Sequence, residues 1–471
     1  MHPMAQETKK PSSDVTVVMV PLPAQGHLNQ LLHLSRRIAA HSIPVHYAAS
    51  ATHLRQAKLR LQGGPSSNST LIHFQEFAIT PFQNPPPNPH APTKFPAQIM
   101  PSLNASLNLR SPVTHFVKHL SGIFRRVIVI HDSLMCYVVQ DIHTLPGVDC
   151  FSFRSISAFS VASWENDIIS DNQIETKILK QIPSLDGYYP PEFADFLGLQ
   201  TRTKNDFSSE IYNSNPEIEG FYLNLLNKRK RKNGAEKIWA LGPFNPVYVS
   251  EKRDLANRHE CLNWLDKQGL DKSVIFVSFG TTCSFSDEQI EEIAIGLEKS
   301  EQKFIWVLRE ADKGDIFGGG EVRKGELPEG FEKRVGKRGI VVRDWAPQLD
   351  ILGHPSTGGF VSHCGWNSCM ESMSMGVPIA TWPQHSDQPA NAVLITKVLK
   401  IGVELKEWTR HDELLSSSRV EKVVRKLMES SEGDEIRKRA AEMGRAIKNS
   451  VVGGGGDGHK EMDSFISHIT R

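Results

Sequence analysis

Residues 15–40 read VTVVMVPLPAQGHLNQLLHLSRRIAA. The first six, Val15–Val20, are almost continuously apolar and largely β-branched, as in a parallel strand covered on both faces. Residues 21–27, with Gly26 among them, make a turn, after which Leu28, Leu31, Leu32, Ile38 and Ala39 recur at helical spacing. Strand, loop and helix in that order form the unit of an α/β protein. Residues 45–49, 71–74 and 127–130 continue as strands separated by helical stretches, and Asp132 falls just past the last of them. That alternation predicts a doubly wound parallel sheet.

The second half restarts the pattern. Residues 274–279 read as a strand, and Ser286 with Gln289 has capping-box spacing ahead of the amphipathic stretch 290–297. Strands at 304–307, 340–342, 359–362 and 378–381 follow. A boundary is expected within 239–251, where Gly242, Pro243 and Pro246 interrupt any regular element. The division is 1–245 and 246–452 for two Rossmann-like domains, with 453–471 returning to the first. In that tail, glycines at 453–456 precede an amphipathic helix whose Met462, Phe465, Ile466 and Ile469 need a surface to cover. Residues 80–101, with Pro85, Pro86 and Pro87, read as an irregular loop over a cleft. Residues 312–325 form a second, glycine-rich and charged loop, and 155–169 is expected with 80–101 among the loops that build the acceptor pocket.

At 471 residues the chain exceeds a single ordinary core, consistent with two domains. A hydrophobic fraction of 39%, a charged fraction of 23% and a net charge of +1 give no bias toward nucleic acid or anionic membrane. Cys136, Cys150, Cys261, Cys283, Cys364 and Cys369 are scattered without zinc or disulfide-scaffold spacing, which suits a reducing compartment. The first 14 residues are polar, and no apolar run approaches the ~18 residues of a membrane span. A cytoplasmic, monomeric protein is expected, with the glycosylation tripeptides at Asn68 and Asn104 unused.

Polar residues concentrate in 345–388, WAPQLDILGHPSTGGFVSHCGWNSCMESMSMGVPIATWPQHSDQ. Here a strand runs through His363, Cys364 and Gly365 into a predicted helix at 367–375. Asn367 and Ser368 then sit at a helix N-terminus, where free N–H groups and the dipole favour a phosphate. Glycine before a helix is also common where nothing binds. His27 lies in the loop after the first strand, where an imidazole can face an opening, and an ordinary pKa near ~6.5 suits proton removal at neutral pH. It is one of 19 histidines, and a surface or structural role stands beside the catalytic one. Asp132 can orient an imidazole or cap a helix.

The 345–388 stretch resembles the donor-binding signature of plant secondary-product glycosyltransferases at nearly every diagnostic position. PLPAQGHLNQ, VIFVSFGTT and the terminal helix extend the resemblance over essentially the whole chain. PAQGHLNQLLHLS and SDEQIEEIAIGLEKSEQKFIWVLREADKGDIF are most similar to the zeatin O-glucosyltransferase group. The resemblance implies a GT-B fold, two Rossmann-like domains facing a central cleft. It implies that Trp345 stacks on uracil, that the Ala346 backbone pairs with its edge, and that Gln348 and Glu371 bind the ribose. His363, Asn367, Ser368 and the Thr281 loop would hold the diphosphate. The Trp366 backbone, Asp387 and Gln388 would bind the sugar, with Gln388 favouring glucose and xylose remaining open. His27 becomes the base and Asp132 its partner.

The implied reaction is inverting transfer of glucose from UDP-glucose to a hydroxyl of a small lipophilic acceptor, with no metal or other cofactor. A cytokinin such as zeatin is favoured, and a flavonoid or terpenoid is the alternative. An oxidoreductase would need a glycine fingerprint directly after a strand, with an acid about 20 residues on; neither half supplies one. A silent binding protein would be expected to lack the base. Gly453, Gly455 and Gly458 match the fingerprint spacing but follow a charged helix, so a hinge is expected there. The basic run 228–232 reads as a solvated loop, and Cys364 and Cys369 as packing residues.

Overall fold

The computed structural model describes residues 14–60, 69–91, 93–165, 168, 174–185, 187–204, 209–232, 234, 237–248, 258–269, 271–319, 323–452 and 454–471. The first 13 residues, Asn68 and Gly453 lie outside them, as do parts of the expected boundary and of the 155–169 and 312–325 loops. The first sheet contains β1 (Val15–Val20), β2 (Val45–Ser50), β3 (Ile72–Phe77), β4 (Arg126–Asp132), β5 (Val148–Arg154), β6 (Ser209–Tyr212) and β7 (Ile238–Ala240). All pairings are parallel, in the order β3-β2-β1-β4-β5-β6-β7. All six residues of β1 are buried, the continuous burial that its unbroken apolar run requires. Helix α1 (Gln25–Ala39) follows β1 and buries Leu28, Leu31, Leu32 and Ile38.

The second sheet holds β8 (Val274–Ser278), β9 (Lys303–Val307), β10 (Gly339–Val342), β11 (Thr357–Ser362), β12 (Ile379–Thr381) and β13 (Gly402–Glu404). It is also parallel, in the order β10-β9-β8-β11-β12-β13. Helix α2 (Trp366–Met375) leaves β11, and α3 (Gln388–Val393) follows β12. In each sheet the winding direction reverses once, between β1 and β4 and between β8 and β11. Loops at a reversal diverge to opposite faces and leave a crevice beyond the strand ends, where doubly wound proteins hold ligands. Two such crevices are therefore available.

Helix α4 (Ser431–Val451) packs on α2 and also reaches the helix Pro216–Lys232 of the first half. Helix α5 (Asp457–Thr470) then lies against the first sheet. Phe465 is fully buried and meets Phe151 and Trp239 edge-on at 5.5 and 5.3 Å, while Met462 and Ile469 join the same core. Burial of each such side chain contributes roughly 1.5–3 kcal/mol. Arg126 Nη1 donates to the carbonyl of His468 at 2.7 Å, satisfying one of the free carbonyls at the helix end.

Several local expectations are corrected. Strands β5, β6, β7 and β13 were not foreseen. The Asp149 and Ser152 positions break the apolar run of β5, and β7 and β13 are only three residues long. The proline-rich loop ends before Pro101, which sits in the first turn of the helix Met100–Ser106, where a missing N–H costs nothing. Within 155–169, residues Ala158–Ser163 form a helix capped by Ser157. The basic run is the last turn of Pro216–Lys232 rather than a loop, and Lys230 is buried with its ammonium 3.1 Å from Glu210. Ser286 does cap its helix, but the Gln289 side chain turns away to bond the backbone of Leu415.

Candidate active site between the two sheets

His27 lies in the first turn of α1, and Asp132 is the last residue of β4. Pairing of Val20 with His131 aligns the ends of β1 and β4, so two residues 105 positions apart become neighbours. His27 Nδ1 is 2.7 Å from Asp132 Oδ2. Asp132 Oδ1 accepts from the backbone N–H of Leu134 at 2.9 Å. Both roles considered for Asp132 are thus realised, one on each oxygen. The carboxylate is fully buried and the imidazole about a quarter exposed. A carboxylate partner makes Nδ1 the donor and leaves the Nε2 lone pair free to take a proton. Burial alone would lower the His27 pKa. The Asp132 charge and hydrogen bond, helped by Asp387, outweigh it and raise the pKa above 6.5.

The second crevice collects most of the 345–388 residues. Gln348 donates from Nε2 to Glu371 Oε2 at 2.8 Å and to Ser368 Oγ at 2.9 Å, linking three residues named from sequence. Burial pushes the Glu371 carboxyl up to about 7, against the opposing Gln348 hydrogen bond. Asp387 is likewise pushed up to about 6 by burial, although Asn391 Nδ2 donates to it at 2.7 Å. Gln388 turns its amide oxygen to the backbone N–H groups of Gln384 and His385 at 2.8 and 3.0 Å, so only its amino group remains for a ligand.

His363 is held by a close backbone approach. A Cβ on Gly280, whose φ is +72°, would fall 2.6 Å from His363 Nε2, and one on Gly365 would fall 2.5 Å from the same atom. Only glycine fits on either side of the ring. Burial lowers the His363 pKa to about 4, so the imidazole meets any phosphate as a neutral donor.

Contacts cross directly between the halves. Asn367 Nδ2 donates to the Gly26 carbonyl at 2.7 Å, next to His27. Trp366 Nε1 donates to the carbonyl of Asn213 at 2.9 Å, and Ser157 Oγ to Asn391 Oδ1 at 2.8 Å. Asn367 is thereby fixed at the junction instead of pointing freely at a phosphate position.

Sequence reasoning missed a cluster around Asp312. Arg60 grips its carboxylate with both terminal nitrogens, Arg309 pairs with it too, and its backbone N–H donates to the Thr281 carbonyl at 2.7 Å. The Arg60 guanidinium lies 4.7 Å above the Trp345 ring. The segment beyond Asp312 docks on the first half: His53 Nε2 lies 3.2 Å from the Gly314 carbonyl, Asn84 Nδ2 donates to Asp315 at 2.8 Å, and Arg55 covers Phe317. An alternation of charge and glycine in 312–319 was the available signal, but nothing local names the partners. His385, which bonds Thr282 Oγ1 at 3.0 Å, was also passed over.

A cavity of about 840 Å³ is lined by His27, by Thr281 and by Trp345, Ala346, Gln348, His363, Trp366, Asn367, Ser368, Glu371, Asp387 and Gln388. Every sequence-named site residue except Asp132, which is buried behind His27, therefore lines one space. On its first-half side the cavity is also walled by the apolar Phe95, Ile99, Leu179, Ile182, Phe193 and Leu197. The polar second-half side can hold a phosphorylated ligand and the apolar first-half side a lipophilic one, with the His27 imidazole lining the same space.

Residues 13–246 match the family described as glycosyltransferase, N-terminal domain, and residues 250–431 match UDP-glucoronosyl and UDP-glucosyl transferase. A zeatin O-glucosyltransferase of Phaseolus lunatus is 52% identical over 97% of both chains. A zeatin O-xylosyltransferase of Phaseolus vulgaris is 50% identical over 97% of this chain and 98% of that one. A crystal structure of a transferase from Siraitia grosvenorii in complex with UDP is similar over 97% of this chain and 100% of that one, at 26% identity and a TM-score of 0.73.

Proposed function

Because this chain belongs to the UDP-glucoronosyl and UDP-glucosyl transferase family, with a GT-B fold of two Rossmann-like domains, we propose that it moves glucose from UDP-glucose to a cytokinin hydroxyl. The observation that carries this reading is the His27–Asp132 pair at 2.7 Å, opening on the same cavity as the 345–388 residues.

The acceptor hydroxyl gives its proton to His27 Nε2, while Nδ1–H holds to Asp132, whose charge stabilises the imidazolium. The oxygen attacks the anomeric carbon on the face opposite the diphosphate, and the C–O bond to UDP breaks with inversion. Charge appearing on the diphosphate meets the first N–H groups of α2, the Ser368 and Thr281 positions and neutral His363. Trp345 and Ala346 take the uracil, Gln348 and Glu371 the ribose, and Asp387 with the Gln388 amino group the sugar.

We assign no metal to this step, since fixed dipoles and amides supply the electrostatic stabilisation. Dialysis against a chelator is expected to leave turnover unchanged; a loss restored by Mg²⁺ or Mn²⁺ would overturn that assignment. A monomer in the cytoplasm fits six free cysteines and the lack, among the described residues, of a helix long and apolar enough to cross a membrane.

The experiment that tests the function is a mass-detected transfer assay with UDP-glucose against zeatin, flavonols and terpenoid alcohols. Efficient product with zeatin is expected; product only with the other classes would defeat the acceptor assignment. The second reading, xylose as donor, is favoured by the 50% identical xylosyltransferase. Competition between UDP-glucose and UDP-xylose decides it, and Gln388 favours glucose.

The pH profile follows from the His27 environment. Only the neutral imidazole accepts a proton, and its pKa is raised, so kcat/KM should fall as pH drops through a value above 6.5. Asp132→Asn removes the charge that raises it, which should move this acid limb to lower pH while lowering the plateau rate. An acid limb at the same pH in both proteins would show that another group titrates.

A further inference from the structure

Two donors buried on the first-half side of the cavity have no hydrogen-bond partner among the described residues: Arg154 Nε and Gln200 Nε2. Both residues line the cavity. Unmade hydrogen bonds in a buried place cost about 1–3 kcal/mol each, so two in one wall call for a ligand acceptor. We infer that Arg154 and Gln200 are the specificity-determining pair of the acceptor subsite and take the lone-pair edge of a planar nitrogen heteroaromatic. The inference rests on the reading above that the acceptor lies on this side with its hydroxyl at His27.

The orientation of both groups is set from outside the cavity. Gln200 is 3% exposed, and its Oε1 accepts from the Tyr137 backbone N–H at 3.0 Å, which obliges the amino group to face elsewhere. Arg154 Nη2 donates to Glu210 Oε1 at 2.8 Å, and the same carboxylate takes Lys230 at 3.1 Å and the Tyr212 hydroxyl at 2.9 Å. Two cations against one carboxylate leave an excess positive charge under this wall. Arg154 Nε and Gln200 Nε2 can only donate, so the ligand edge complementary to this pair is one of in-plane lone pairs, such as the ring nitrogens of a purine.

The spacing suits such a ligand. Asp132 pairs with Phe153 across β4 and β5, and β4 is next to β1. Arg154 therefore starts two strand steps from the His27 loop, roughly 10 Å at strand spacing. A hydroxyl on a short side chain of a bicyclic heterocycle covers that span.

Gln200→Glu keeps the acceptor for the Tyr137 N–H and inverts only the free group, from donor to acceptor. Arg154→Lys keeps the charge for Glu210 and removes the Nε–H. The assay compares kcat/KM for an N6-substituted adenine carrying an allylic alcohol with that for an all-carbon aromatic carrying the same alcohol. The intact protein should prefer the purine by on the order of 10-fold or more, and Gln200→Glu should reduce the ratio by about the same factor. Melting temperature and calorimetric binding of UDP-glucose, read in both variants, certify their folding. A ratio unchanged in both variants would refute the subsite while leaving the cytokinin reading intact. An unmodified chain inert toward the purine alcohol would refute both.

Discussion

His27→Ala should lose roughly 10²–10⁴ in kcat while still binding UDP-glucose as the unmodified chain does. The size follows from geometry. His27 lines the cavity with a fully buried carboxylate 2.7 Å behind it. Nearly every donor-side residue belongs to the second sheet and its loops, and none of these side chains hydrogen-bonds His27. Removing the imidazole therefore takes away the proton acceptor and the orienting pair together, but leaves the Gln348–Glu371–Ser368 network in place. Calorimetric titration with UDP-glucose and single-turnover transfer separate the two. Near-normal turnover would defeat the mechanism, and loss of donor binding would mean that His27 holds the junction instead of the proton.

Asp312→Ala should be the most destabilising single change at the junction. The carboxylate neutralises Arg60 from the first half and Arg309 from the second, with the Arg60 and Asp312 side chains about 9% exposed and Arg309 about 16%. Desolvated guanidiniums stripped of their partner cost about 3–5 kcal/mol, far beyond the ~0–1 kcal/mol of exposed pairs. At the usual conversion for a unit of this size the melting temperature should fall by roughly 6–20 °C. Because Asp312 N–H also bonds the Thr281 carbonyl and Arg60 lies over Trp345, KM for UDP-glucose should rise in the same variant. A melting temperature within a degree of the original would show that water screens the cluster. Asp312→Asn, which keeps the shape, should recover little of the loss if charge is what matters.

Strands β1, β4, β8 and β9 were legible because their near-continuous apolar runs alone satisfy burial on both faces, and β2, β3, β10, β11 and β12 were read from shorter apolar segments between turn residues. Strands whose stability comes from neighbours were not. β7 and β13 have three residues each and sit at the sheet edges, where pairing with β6 and β12 completes them. The helix Ala158–Ser163 was hidden for a related reason, since the buried Glu219 carboxylate satisfies its first N–H groups from 60 residues away.

The site divides along the same line. Residues 345–388 are contiguous, so strand, turn, helix N-terminus and polar side chains could be read together, and the resemblance supplied roles for them. His27 and Asp132 could be named singly, each with an ordinary structural role equally open. Their union is a matter of register between β1 and β4, which depends on hydrogen bonds between segments 105 residues apart. The Arg60–Asp312 grip, the enclosure of His363 by Gly280 and Gly365, and the free donors of Arg154 and Gln200 belong to this second kind. By itself the sequence determined the strand and helix alternation behind the two parallel sheets, because periodicity and local turn chemistry act over a few residues, whereas roles for the 345–388 side chains came only as what the resemblance implies. Tertiary structure alone decided which side chains, which cross-cleft bonds and which unpaired donors share one cavity, because side chains from distant strands meet only once the chain has folded.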